Sequence, residues 1–377
     1  MSVLIAVDKF KGSLTGVELS DAIATGMRRA LGEGFTPRIC PIADGGDGTV
    51  DAALASGFDE VQTQVTGPAG QPVTVRYAFD RAAATAVIEV AEACGIRLLG
   101  ADLDVLGATT FGVGELILHA VERGVSTIVI GLGGSATTDA GAGMLSALGV
   151  RFEDAPNPAE VHGGGGLRGV TGVDLSSLDP RLAGVDFVMA SDVTNPLTGE
   201  NGAAAVYGPQ KGATLEQVKE LDALLGLAAG FIEQALDVVL GTYREAPGAG
   251  AAGGLGFACL SVLGARMRPG VDVAFELTGF NDALDGADFI ITGEGKFDTQ
   301  TLQGKGPAGV AQAGKRVGAR VVAICGGSEL EEDAWRAAGF DGVYSVLGTG
   351  VSLEESLANP RPHVEKIAEQ MARDFLI

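Results

Sequence analysis

The chain has 377 residues, a formal net charge of −22, and 46% hydrophobic residues with only 5% aromatics. That length exceeds one ordinary core and points to two domains, and the charge argues against nucleic acid or an anionic membrane as partner. No apolar run approaches the ~20 residues of a membrane span, and the opening VLIAV lacks the basic start and cleavage site of a signal peptide, so a soluble cytoplasmic enzyme is expected.

Along the chain, SVLIAVDKF (2–10) reads as a buried strand feeding a charged loop. Residues 15–31 carry apolar positions at helical spacing, and Thr15 followed by Glu18 fits a capping box. PRICPIADGGDGT is strand and loop, with a helix from Val50. This strand–loop–helix repeat is typical of a doubly wound sheet. From Val61 to Ala93, three strand-like runs separated by turn signals suggest a small antiparallel meander. Further on, a helix is expected over 110–123, a strand at STIVIGLGG, a helix over 140–148, a flexible loop at HGGGGLRG and a strand at VDFVMASDVTNP. A long amphipathic helix over 214–239 and a glycine linker at 247–256 follow. ADFIITGEG, ARVVAICGG and FDGVYSVLG are three more strand-and-turn units that resemble partners of the N-terminal strand. The expected fold is therefore α/β: a Rossmann-like parallel-sheet domain formed by both termini (1–66 plus 285–377), with a second α/β domain inserted at 67–284.

Cys40, Cys94, Cys259 and Cys325 are scattered without a CxxC pair and read as buried free thiols. With only His119, His162 and His363, a histidine-rich metal site is not expected. There are eight lysines against eighteen arginines, and Lys9, Lys11, Lys211, Lys296 and Lys305 fall in or beside glycine-bearing loops.

Four loops share one grammar, an apolar strand followed by an acid with glycine and then lysine or threonine: DKFKGS (8–13), ADGGDGT (43–49), SDVTNP (191–196) and TGEGKFD (292–298). GLGGSATTDAG (131–141) has glycines and hydroxyls, with Asp139 near its end. Ligands of open α/β sheets bind outside the carboxyl ends of strands. Backbone N–H groups of glycine turns can cradle phosphate, and carboxylates with lysines suggest Mg²⁺ and a phosphorylated nucleotide. The standard nucleotide motifs do not fit. GAGAAG (248–253) follows no convincing strand, and GVAQAGKR (309–316) has Arg316 where a P-loop needs Ser or Thr.

The ordered set of loops resembles the bacterial glycerate kinase family of the glyoxylate and glucarate pathway type, the glycerate 2-kinases. The matching stretches run from DKFKGSLT and ADGGDGT through TGPAGQPV, TTFGVGELI and GLGGSATTDAGAGM to SDVTNPLTG, YGPQKGA, GAAGGLG and ITGEGKFDTQTLQGKGPAGVA. Val7 and Lys9 depart from the family's usual Pro and Ser, and Asp47 stands for the usual Glu. The resemblance implies ATP-dependent phosphorylation of D-glycerate with Mg²⁺, a 2-phosphoglycerate product, and an active site in a cleft between two α/β domains. A 3-phosphoglycerate product remains the alternative. More distant readings are an NAD-dependent oxidoreductase and a small-anion binding protein, and a homo-oligomer is compatible with the sequence.

On that reading Lys11 and Lys296 serve catalysis by holding anions, and Asp192 orients or deprotonates the hydroxyl or holds the metal. Asp8, Ser13, Asp44 and Arg268 are candidates for substrate, with Arg266 weaker, and Asp44 and Glu294 for metal beside Asp192. The loop with Gly133, Gly134, Ser135, Thr137 and Thr138 is the candidate for the phosphates of ATP. An aspartate that merely caps a helix is the alternative for each of the acids.

Overall fold

A computed structural model of the chain describes residues 2–43, 45–157, 159–303 and 305–377. It divides into two compact units: Met1–Asp44, Asp51–Gly57 and Gly270–Ile377 form the terminal unit, and Gly45–Val50 with Phe58–Pro269 form the inserted unit.

The terminal unit is built on five parallel strands in the order Gly342–Ser345, Arg320–Cys325, Phe289–Gly293, Val3–Val7, Arg38–Ile39. Numbered within the unit this is 5-4-3-1-2, the second of the two common doubly wound orders, with its switch point beside the first strand. The first strand is buried at every position. Its side chains alternate between two cores. Val3, Ile5 and Val7 meet Leu19, Ile23, Val364 and Ile367 on one face, while Leu4 and Ala6 meet Ile290, Val310 and Phe275 on the other. The first face is covered by helices Gly16–Leu31 and Pro360–Leu376. Thr15 and Glu18 close the expected capping box at the start of the former. The two helices approach so closely that a Cβ on Gly26 would collide with the Glu365 carbonyl oxygen.

The inserted unit carries a six-stranded sheet in the order Arg266–Arg268, Asp186–Ala190, Thr127–Gly131, Thr85–Glu89, Pro72–Asp80, Asp59–Thr66. The first four strands are parallel and the last two antiparallel. The expected meander is thus one edge of a larger mixed sheet.

The unit boundaries differ from the expected 66/67 and 284/285. Strand Asp59–Thr66 pairs along its whole length with Pro72–Asp80, so it belongs to the inserted sheet. Helices Gly270–Leu277 and Phe280–Leu284 bury Val271, Phe275, Phe280 and Leu284 in the terminal core, with the two phenyl rings stacked at 4.0 Å. Burying such side chains contributes about 1.5–3 kcal/mol each, which outweighs their place in the sequence.

Two glycine segments also depart from expectation. Residues 247–256 are not a linker: they hold a buried turn, Ala251–Gly254, that leads into helix Leu255–Ser261. HGGGGLRG contains a short 3-10 helix, Gly164–Leu167, and a Cβ on Gly164 would collide with the Thr138 carbonyl oxygen. Both segments are packed walls whose glycines permit backbone to approach backbone. The long helix is Leu215–Ala235, opened by a Thr214/Gln217 capping box. All four cysteines are free and buried.

Candidate active site

In the terminal unit the candidate residues gather at the carboxyl edge of the parallel sheet. The chain leaves the first strand at Asp8, whose N–H donates to Gly293 O at 2.9 Å and whose Oδ1 accepts from Lys9 N at 2.7 Å. Phe10 and Leu14 then bridge, which turns the loop tightly and leaves Lys11 exposed with Ser13 beside it. Ser13 Oγ donates to Phe10 O at 3.2 Å.

The strand next to it ends at Gly293 and delivers Glu294 and Lys296. The 293–296 loop lies against its neighbours: a Cβ on Gly295 would sit 3.3 Å from Lys11 N, and one on Gly293 would collide with Ile324 O. The N–H groups of Gly326 and Gly327 donate to Glu294 O and Gly295 O at 3.3 and 3.0 Å. Lys296–Phe297 then pairs in parallel with Gly327–Ser328. The backbone therefore holds Lys11, Ser13, Glu294 and Lys296 on one edge, at the topological switch point where doubly wound sheets bind ligands.

Electrostatics separates these groups. Glu294 is 8% exposed, and its Oε2 lies 3.9 Å from Lys305 Nζ. Lys296 is exposed, and its Nζ lies 3.0 Å from Glu329 Oε1 and 3.4 Å from Asp298 Oδ2. The Glu329 carboxylate foremost, with Asp298 behind it, raises its pKa above the ordinary lysine value. Lys11 makes no ion pair among the described residues, so its charge is open to an incoming anion. Asp44 lies outside the described residues.

In the inserted unit, Asp192 is exposed just beyond the carboxyl end of strand Asp186–Ala190. Arg268 ends the neighbouring parallel strand opposite Ala190, and its carbonyl accepts from Ser191 N at 3.1 Å, so the two candidates share one edge. Arg266 is committed elsewhere, in an ion pair with Asp186. Asn195 is fixed by Tyr207 Oη, which donates to its Oδ1 at 2.8 Å, and by its own amide donating to Asn201 O at 2.8 Å.

The glycine loop at 133–138 turns its hydroxyls inward. Thr137 and Thr138 are fully buried and Ser135 is 7% exposed, leaving Gly133 and Gly134 as the accessible part. A phosphate at this surface would meet backbone rather than the three hydroxyls. Gly133 also packs on the 45–50 segment, where its Cβ would lie 2.8 Å from Gly46 Cα.

Three residues that brace this edge carry no site role in the sequence reading, although Lys211 and Asp139 stand in its glycine-bearing loops. Glu89 ends its strand buried, and its Oε1 accepts from Gly48 N at 2.9 Å and Val50 N at 2.7 Å. Lys211 is buried, and its Nζ donates to Ser135 Oγ at 3.1 Å and Thr137 O at 2.6 Å. Burial lowers its pKa to about 8. Asp139 is fully buried and accepts from Thr110 N and Oγ1 at 3.0 and 2.8 Å. Burial pushes its carboxyl upward, against the pull of these bonds. An acid closing an apolar strand marks Glu89 in the sequence, but without the glycines that marked the other loops.

Both units thus place acids and cations at the carboxyl edges of parallel strands, the arrangement of a mixed α/β phosphotransferase. Comparison with known proteins gives the family. The Glycerate kinase family model matches residues 3–376. A glycerate kinase of Bacillus subtilis (strain 168) is 41% identical over 99% of this chain and 97% of its own length. A glycerate 2-kinase of Escherichia coli (strain K12) is 38% identical over 100% of this chain and 98% of its own. A crystal structure from Salmonella typhimurium LT2, carrying a provisional glycerate kinase 2 name, superposes with a TM-score of 0.85 at 40% identity, covering 99% of this chain and 98% of that one. The chain belongs to the glycerate kinase family.

Proposed function

We propose that the enzyme transfers the γ-phosphoryl group of ATP to the 2-hydroxyl of D-glycerate, releasing ADP and 2-phospho-D-glycerate. The observation that carries this reading is the cluster at the terminal unit's switch point, where exposed Lys11 and Lys296 and buried Glu294 emerge from adjacent parallel strands. Phosphoryl transfer is catalysed by positioning and charge stabilisation, and this edge supplies both. The 2-phosphate product is supported by the name of the E. coli relative.

Each side chain has a proposed task. Lys11 and Lys296 screen phosphate or carboxylate charge in a protein whose overall field repels anions. Asp8 and Ser13 line the approach to Lys11. Asp192 takes the proton from the substrate hydroxyl as its oxygen bonds to phosphorus and the bond to ADP breaks. Arg268, on the same edge, meets the glycerate carboxylate. Backbone at Gly133 and Gly134 meets phosphate.

Among the described residues, no three His, Cys, Asp or Glu side chains converge as a metal cage. Mg²⁺ in kinases is held by one or two carboxylates plus the nucleotide's own phosphates, so Glu294, with Asp192 and Asp44 as alternatives, fits that need. When bound, Mg²⁺ neutralises charge on the phosphates. A cytoplasmic site of action is supported by the four free, buried cysteines.

The test is ADP release by the purified protein with ATP and Mg²⁺. We expect release that requires D-glycerate and saturates with it. Release that is indifferent to glycerate contradicts the reading.

A further inference from the structure

A nucleoside triphosphate has two unlike ends, an apolar purine and a polyanion. The terminal unit contains a cleft of about 850 Å³ with the same division. Its lining comes from loops at the carboxyl ends of four neighbouring strands. The loops after the two central strands, Val3–Val7 and Phe289–Gly293, contribute Lys11 and Lys296. The segments after the two outer strands, Arg320–Cys325 and Gly342–Ser345, contribute Trp335, Leu347, Leu353 and Leu357. Neighbouring strands are about 4.8 Å apart, so four of them carry the lining across about 15 Å, enough for a base, a ribose and the first phosphates.

The volume lies in the range of small-molecule and cofactor sites, which are mostly apolar with a few placed polar groups. Leu353 and Leu357 are 61% and 48% exposed although they line a concavity, so their apolar surface is available for a ligand to cover. By contrast, the hydroxyls of the 133–138 loop are buried.

We infer that this cleft seats the purine nucleotide, with the base against Trp335, Leu353 and Leu357 and the phosphates directed along the sheet edge toward Lys296 and Lys11. This inference rests on the ATP reading above and assigns its nucleoside end to the terminal unit alone. Trp335 is the only tryptophan in the chain and therefore reports directly on the site.

The experiment titrates the full-length protein with ADP, following Trp335 emission and, in parallel, heat by calorimetry. We expect a saturable change in emission with ADP and none with D-glycerate alone. Leu357→Asp and Leu353→Asp, at exposed positions and checked for a wild-type thermal melt, should each weaken ADP at least tenfold and leave KM for glycerate within twofold. Heat from ADP with silent emission and wild-type affinity in both variants overturns this placement while sparing the ATP reading. No heat from ADP at all overturns both.

Discussion

TGEGKFD (292–298) in the terminal unit and GLGGSATTDAG (131–141) in the inserted unit both follow an apolar strand with glycines, hydroxyl and an acid, and both bury the hydroxyl and the acid, yet the cation is exposed in the first and buried in the second. In the first, Thr292 and Glu294 are buried but Lys296 is 62% exposed, and the backbone packs closely on its neighbours at Gly293 and Gly295. In the second, Thr137, Thr138 and Asp139 are fully buried, and the cation that meets the loop, Lys211, is itself 4% exposed. Glycines from two other segments press on its carbonyls: Gly164 on Thr138, Gly253 on Thr137. The same composition thus builds an open charged rim in one unit and a closed frame in the other. What distinguishes them is where the cation stands: Lys296 lies exposed on the rim, whereas Lys211 is buried against Ser135 and Thr137.

If the inserted loop is a frame, damage to its supports should cost stability first. Gly253 has φ +70° and its Cβ would collide with Thr137 O, so Gly253→Ala combines left-handed strain with overpacking. We expect a loss of about 3 kcal/mol or more in urea unfolding. A loss below about 1 kcal/mol would show that the turn yields easily.

Next in size is Asp192→Asn, on the exposed edge of the same unit, expected to lower kcat by ~10²-fold, about 2.7 kcal/mol, with an unchanged melt. Turnover within tenfold of wild type removes Asp192 as base or essential metal ligand. On the open rim, Lys11→Ala should raise KM for ATP or glycerate about tenfold while stability stays level. Unchanged values for both substrates take Lys11 out of the site.

A smaller effect comes from pH. The folded pKa of Lys211, about 8, lies below its ordinary 10.5. Between those values the unfolded chain binds the extra proton, so stability rises with pH across that window. From pH 8 to 9, wild type should gain about 1 kcal/mol relative to Lys211→Met in urea midpoints. Above pH 9 the buried Cys94 thiol, pushed up to about 12 by burial, adds a term of opposite sign. A flat difference between pH 8 and 9 contradicts a neutralising buried lysine. The smallest effect is expected at Gly295, with no left-handed φ and a Cβ 3.3 Å from Lys11 N. Gly295→Ala should cost under about 1 kcal/mol by the same unfolding assay.

The parallel strands were legible because most are short apolar runs ending in charge or glycine, as VLIAVDK, FIITGEGK and TIVIGLGG show. The Thr15 capping box was legible because it is local: two residues three positions apart, Thr15 and Glu18, decide it. The unit boundaries were not, since Asp59–Thr66 joins its sheet through pairing with Pro72–Asp80, and helix 270–277 joins its core through Val271 and Phe275. For the candidate site, strand-end acids and loop lysines single out Asp192, Glu294, Lys11 and Lys296 as candidates. Their exposure was not readable, nor was the burial of Lys211, because glycine spacing does not say which distant backbone will approach. The cleft near Trp335 escaped notice because its walls are ordinary leucines from separate segments.

The central claim is that D-glycerate is phosphorylated at its 2-hydroxyl by ATP. The most direct measurement couples the reaction to enolase, which accepts the 2-phosphate, with no mutase present. The account predicts phosphoenolpyruvate formed in step with ADP. ADP formed without phosphoenolpyruvate until a phosphoglycerate mutase is added would contradict it and assign the 3-phosphate instead.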